Sequence, residues 1–297
     1  MRAGRLGMRG ALAALVLFAG AIFADPGAAL NALAAFGPAP VVVNAAYGPS
    51  PRQRLDAYPP AGGVTKAPVI VFFYGGSWSS GAKEEFRLLA SALAARGLAV
   101  VTPDYGLYPA ARFPAFLEDG ARAARWAKDN AARFGGDPER LFLMGHSAGA
   151  HIAAMLALDA RWLAAVGMTP KRDLLGAIGL AGPYRFALDT ELLRGVFGAV
   201  EEAATQPVNF VSPDAPPMLL LTGAEDATVR PRNATELAAR LRAAGASATL
   251  AVYPRVGHLG LIGALSPALR FLAPVLDDIC AFVATASTPA APGVKDE

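Results

Sequence analysis

The chain has 297 residues and a formal net charge of +3. Arg2, Arg5 and Arg9 are unopposed by any acid within residues 1–24, so residues 25–297 sum to zero. That balance argues against a nucleic-acid partner, which needs basic residues clustered on the folded part. Hydrophobic residues make up 54% of the chain, many of them alanine, and charged ones 17%; this suits a soluble α/β protein and excludes a disordered chain.

The N-terminus reads as an export signal. Behind the three arginines come 14 uncharged residues, 11–24, ending at Asp25-Pro26. That run fits a signal core and is short for a membrane span of about 20 residues. Ile22 stands where a small residue is preferred for cleavage after Ala24, so two outcomes stay open: a cleaved, exported protein, or membrane association through an uncleaved anchor. No cysteine lies near this segment, which excludes a lipid-modified N-terminus. Residues 25–52 read as a linker or N-terminal segment, with a short apolar run at 28–36 placed as a linker or small helix near the mouth of the site.

From residue 53 to 286 short apolar strands alternate with helical patterns, the signature of βαβ units and a mostly parallel sheet. Residues 53–58 are predicted to begin the sheet with antiparallel strands. Strands follow at 69–74, 99–102, 141–144, 177–180, 218–222 and 249–253, and helices at 84–96, 116–134, 148–159, 234–243 and 269–284. Residues 183–212 interrupt the alternation. There Leu192, Leu193, Val196, Phe197 and Val200 share one helical face, which reads as a small cap inserted over the site, or else as a connecting helix docked on the core. The tail 287–297 reads as disordered. Cys280 is the single cysteine, so no intrachain disulfide can form. Its apolar surroundings suit a small buried side chain rather than a nucleophile.

The strongest motif is Gly145-His146-Ser147-Ala148-Gly149, a Gly-x-Ser-x-Gly set between a predicted strand and a predicted helix. The bare pattern is common by chance; its position is what matters. A sharp strand-to-helix turn holds the serine in strained backbone with its hydroxyl above the sheet, and flanking glycines leave room for it. The Ala148 N–H, at a helix N-terminus, can donate to an oxyanion. Serine needs a base within hydrogen-bond reach, and there are three histidines. His146 adjoins Ser147 and is expected to point away from the site. His151 lies one turn deeper on the same helix, where a packed structural imidazole is expected. That leaves His258, on a glycine-flanked loop after the last predicted strand. The orienting acid belongs on the loop after the preceding strand, where Asp226 is the choice and Glu225 the fallback. Asp104 is out of chain order and reads as a turn residue. A second oxyanion donor is expected from Gly75, Gly76 or Ser77, in a loop that follows a strand, with Trp78 packing beneath it.

Together Tyr-Gly-Gly-Ser-Trp, Gly-His-Ser-Ala-Gly-Ala-His, Thr-Gly-Ala-Glu-Asp and the later Gly-His resemble the esterase/lipase branch of the α/β hydrolases. That branch includes hormone-sensitive-lipase-like, feruloyl and acetylxylan esterases, isoprenylcysteine methylesterases and kynurenine formamidases. The resemblance spans roughly residues 53–283. It implies an α/β-hydrolase fold and a cofactor-free enzyme, with Ser147, Asp226 and His258 as a triad and a small-molecule ester as substrate. One departure is visible: Tyr74 stands where the family's oxyanion loop usually has histidine, and Ser77 holds the fourth position. No His/Cys/Asp cluster at ligand spacing suggests a metal. The nearest rival is an amidase or formamidase on the same residues. A peptidase fits less well, as no substrate-gating domain is apparent. A non-catalytic binding protein would usually have lost a triad member.

Overall fold

The computed structural model describes residues 37–288. Residues 1–36 and 289–297, and with them the expectations for the signal segment, the 28–36 run and most of the tail, lie outside the described residues.

Eight strands form one sheet in the order β1-β2-β4-β3-β5-β6-β7-β8. They are β1 (Val42–Ala46), β2 (Arg54–Tyr58), β3 (Ala67–Phe73), β4 (Ala99–Pro103), β5 (Gly136–His146), β6 (Gly176–Leu180), β7 (Met218–Gly223) and β8 (Ala248–Tyr253). The β1–β2 and β2–β4 pairs are antiparallel, and every pairing from β4 through β3 to β8 is parallel. The central strands β3 and β5 are covered on both faces: Val69, Val71, Phe73, Leu141, Leu143 and their out-of-phase neighbours Ile70, Phe72 and Phe142 are all buried. This is why they read as unbroken apolar runs rather than as alternating ones.

The helices α1 (Arg87–Ala94), α2 (Ala115–Asn130), α3 (Ala148–Leu158), α4 (Glu191–Phe197), α5 (Arg232–Ala243) and α6 (Val275–Ala286) connect and flank these strands. α3 is buried along its entire length, as expected of a helix that runs from the middle of the sheet beneath other layers.

Three expectations need correction. The 25–52 segment is not all linker, because residues 42–46 pair with β2 as the sheet's edge strand. The last helix starts at Val275 rather than 269; Ala273 is extended before Pro274, as the proline ring requires of the residue preceding it. The 183–212 segment contains α4 and two short 3-10 turns, but its apolar face is only partly used. Val196 and Phe197 are buried, whereas Leu192 is exposed.

Candidate active site

The chain leaves β5 at His146 and enters α3 at Ala148, so Ser147 alone makes the turn, with φ 54° and ψ −122°. A side-chain-bearing residue rarely adopts this backbone, and the conformation costs of order 1–3 kcal/mol. The surroundings enforce it. The Ser147 N–H donates to Leu180 O on β6 at 2.9 Å, and Ser147 O accepts from Ala150 N at 2.9 Å. Gly149 permits the close crossing of α3 over β3, since a Cβ there would lie 2.0 Å from Phe73 O. The N-terminus of α3 thus opens at the serine, and its partial positive charge favours an anion there.

Asp226 and His258 come from the loops after β7 and β8. Asp226 Oδ2 accepts from His258 Nδ1 at 2.8 Å. Its Oδ1 accepts from the Thr228 and Val229 N–H groups at 3.0 and 2.8 Å. The carboxylate side chain is fully buried, and that of His258 is 13% exposed. Glu225, the fallback, is exposed and supplies backbone contacts to Val256. Asp104 is a structural residue, as expected: it accepts from the Tyr74 hydroxyl at 2.8 Å and from Lys83 N at 2.9 Å.

The loop after β3 carries Gly75, Gly76 and Ser77. Gly76 O accepts from both Ser79 N and Ser80 N at 3.0 Å, closing a tight turn in which Gly76, Ser77 and Trp78 all have positive φ. Trp78 anchors this turn from below, packed against Phe116, His151, Phe186 and Phe197. From outside, Arg52 donates to Tyr74 Oη at 2.7 Å and to Gly81 O at 3.0 Å, tying both ends of the loop together. Burial pushes the Tyr74 phenol well above its ordinary range, so it remains a donor to Asp104. The phenol that replaces histidine is therefore built into the frame of the loop. Gly75 lies against the serine: a Cβ there would stand 3.0 Å from Ser147 Cβ.

Ser147, His258 and Gly75-Gly76-Ser77 line one cavity of about 500 Å³. Its apolar lining includes Phe86, Leu88, Leu89, Leu259 and Ile262. None of its lining residues falls within 183–212. The expected cap instead docks through Phe197 on the aromatic cluster around Trp78.

The other two histidines differ in their fate. His151 is buried, its Nε2 2.8 Å from Thr205 O, and burial pushes it down to about 4; it is the packed imidazole expected. His146 does not point away. It lines the cavity, and its ring centroid lies 4.7 Å from that of His258. Nothing in sequence spacing signals this, because the contact is made with a loop 112 residues later. Cys280 sits half-buried on α6, and burial raises its thiol above the ordinary range, so it is not an activated nucleophile. Among the described residues no cluster of three or more His, Cys, Asp or Glu side chains is placed to hold a metal ion.

Two family models match this architecture: BD-FAE over residues 55–164 and the prolyl oligopeptidase family over residues 116–286. The chain belongs to the α/β-hydrolase esterase family. Among its relatives, isoprenylcysteine alpha-carbonyl methylesterase ICME of Arabidopsis thaliana is 31% identical over 72% of this chain and 56% of its own length. Esterase LipC of Mycobacterium tuberculosis is 30% identical over 73% of this chain and 57% of its own. The chain thus spans little more than half the length of these curated relatives. Among solved structures, a truncated carbohydrate esterase from gut microbiota superposes with a TM-score of 0.73 at 22% identity, covering 84% of this chain and 99% of that one. The apo form of Thermogutta terrifontis esterase 2 gives 0.69 at 25% identity, covering 86% and 97%.

Proposed function

We propose that this α/β hydrolase is a serine carboxylic-ester hydrolase in which Ser147 is the nucleophile, His258 the general base and Asp226 the group that orients it. The observation that carries the reading is that Ser147, in its strained turn, and His258, bound to the Asp226 carboxylate, line the same cavity. His258 takes the Ser147 proton as the hydroxyl attacks the ester carbonyl. The N–H of Ala148 and one of Gly75, Gly76 or Ser77 stabilise the oxyanion; one such donor is typically worth on the order of 3 kcal/mol in the transition state. His258 then protonates the departing alcohol, and water, deprotonated in turn by His258, releases the acid from the acyl-enzyme.

A cavity of about 500 Å³ walled by Phe86, Leu88, Leu89, Leu259 and Ile262 suits a short- to medium-chain or aryl ester. The N-terminal arginines and uncharged run support export of the chain, or its retention on a membrane if the segment stays uncleaved. N-terminal sequencing of the protein recovered from cell fractions distinguishes these two fates.

The test is labelling by a fluorophosphonate together with turnover of p-nitrophenyl esters. Ser147→Ala and His258→Ala should each remove turnover from a folded protein, and activity surviving in either sinks the assignment. The match to the prolyl oligopeptidase family favours amide cleavage as a second reading. Faster turnover of N-formylkynurenine or a peptide anilide than of any ester would establish it instead.

A further inference from the structure

We propose that His146 is a positioning residue: it fixes the main chain of His258 while Asp226 fixes its ring. The proposal deepens the esterase reading and rests on it. His146 Nε2 lies 3.2 Å from the carbonyl oxygen of His258. A carbonyl only accepts, so Nε2 carries the proton and His146 is the donor. The donor end is rigid, because His146 closes β5 in register with Leu180 of β6 and is followed at once by the strained Ser147. The acceptor end needs a tether. The loop carrying His258 is flanked by Gly257 and Gly260 and begins after Arg255, which has positive φ. The loop's other backbone bonds lie on either side of residue 258, from Glu225 N to Val256 O at 3.1 Å and from Gly260 N to Gly257 O at 3.0 Å, so the His146 bond adds a tether on the His258 carbonyl itself. The bond from His146 references the imidazole directly to the residue beside Ser147.

The same arrangement needs His146 to stay neutral. Burial, and then the neighbouring His258, push it down to about 3. The groups facing it are His258 from the loop after β8, Ser147 from its own turn, and the Gly75 backbone, where a Cβ would lie 3.1 Å from Nδ1. A cation at this place would oppose the imidazolium that forms on His258 when it takes a proton from Ser147.

The experiment uses the full-length protein with p-nitrophenyl butyrate and a fluorophosphonate. His146→Phe keeps the ring's bulk and removes the donor; kcat and labelling rate should fall about 10-fold or more, with KM within about twofold. His146→Gln restores a donor of similar reach and should recover most of kcat. His146→Asn, whose amide falls short of the carbonyl, should behave like His146→Phe and serves if the latter does not fold. Wild-type kcat in His146→Phe or His146→Asn, or a His146→Gln no better than either, overturns the proposal while leaving the esterase reading intact. A wild-type protein that neither labels nor turns over esters overturns both.

Discussion

Asp226 Oδ2 and His258 Nδ1 lie 2.8 Å apart, across loops that leave the carboxyl ends of the adjacent parallel strands β7 and β8. The carboxylate divides its oxygens, Oδ1 closing its own turn through the Thr228 and Val229 amides. A carboxamide cannot serve both sides equally. In Asp226→Asn the turn amides select the carbonyl oxygen and leave the NH₂ facing His258. Nδ1 must then accept, the proton moves to Nε2, and Nε2 can no longer take a proton from Ser147. The expected result is a fall in kcat on the order of 10³–10⁴ with little change in KM and an unchanged fold. A loss of less than tenfold would contradict the orienting role.

The strain at Ser147 supplies a second prediction. At φ 54° and ψ −122°, glycine is at ease and alanine is not. Ser147→Gly should therefore unfold at higher urea than Ser147→Ala, by about 1–2 kcal/mol, while both lack ester turnover. Equal stability of the two variants would mean that the turn stores no strain. A gain on removing the serine is the trade expected where function holds backbone in a costly conformation.

How far the sequence went is clearest at particular residues. β3, β5 and β7 were legible because strands buried on both faces read as short apolar runs bounded by glycine or turn residues. The expectation for Ser147, Asp226 and His258 came from the Gly-x-Ser-x-Gly pattern, elimination among three histidines and strand order together; the structure places Asp226 and His258 in hydrogen-bond contact and Ser147 and His258 on one cavity. β1 was not legible: Val43 is 62% exposed and the edge strand has no clean alternation. The partner of Phe197 was not legible either, because a helical face shows that it is apolar and not whether it covers a cavity or packs on Trp78. His146 escaped for a related reason. The ring's direction is set by a carbonyl that only the folded chain brings near.

Burial of two imidazoles makes stability depend on pH. His146 is held down to about 3 and His151 to about 4, chiefly by burial. In the unfolded chain each titrates near 6.5, so below that pH the unfolded state binds the extra protons and gains stability. The native state is favoured in full above about pH 6.5 and loses ground as pH falls toward the folded values. Between pH 7 and pH 5 the expected loss is about 2 kcal/mol per imidazole, from a slope of about 1.4 kcal/mol per pH unit. Urea unfolding at the two pH values measures it. His151→Gln, which retains a donor for Thr205 O, should remove close to half of the loss, and an undiminished slope in that variant would assign the acid sensitivity to other groups.

Phe197 separates a cap that shapes the cavity from one that holds the frame. Its ring is fully buried and meets Trp78 at 4.9 Å, Phe113 at 5.6 Å and His151 at 5.8 Å between centroids. The cavity's apolar walls come from Phe86, Leu88, Leu89, Leu259 and Ile262 instead. Phe197→Ala should therefore cost about 3–5 kcal/mol of stability through the void left behind. Its effect on catalysis should run through Trp78, which anchors the turn bearing Gly76 and Ser77: kcat falls, and the ranking of acyl chain lengths does not change. Leu89→Ala, in the cavity wall, should do the reverse, moving the preferred acyl chain toward longer substrates. If Phe197→Ala reorders chain-length preference and Leu89→Ala does not, the substrate reaches the 183–212 segment after all, and the wall has been assigned to the wrong elements.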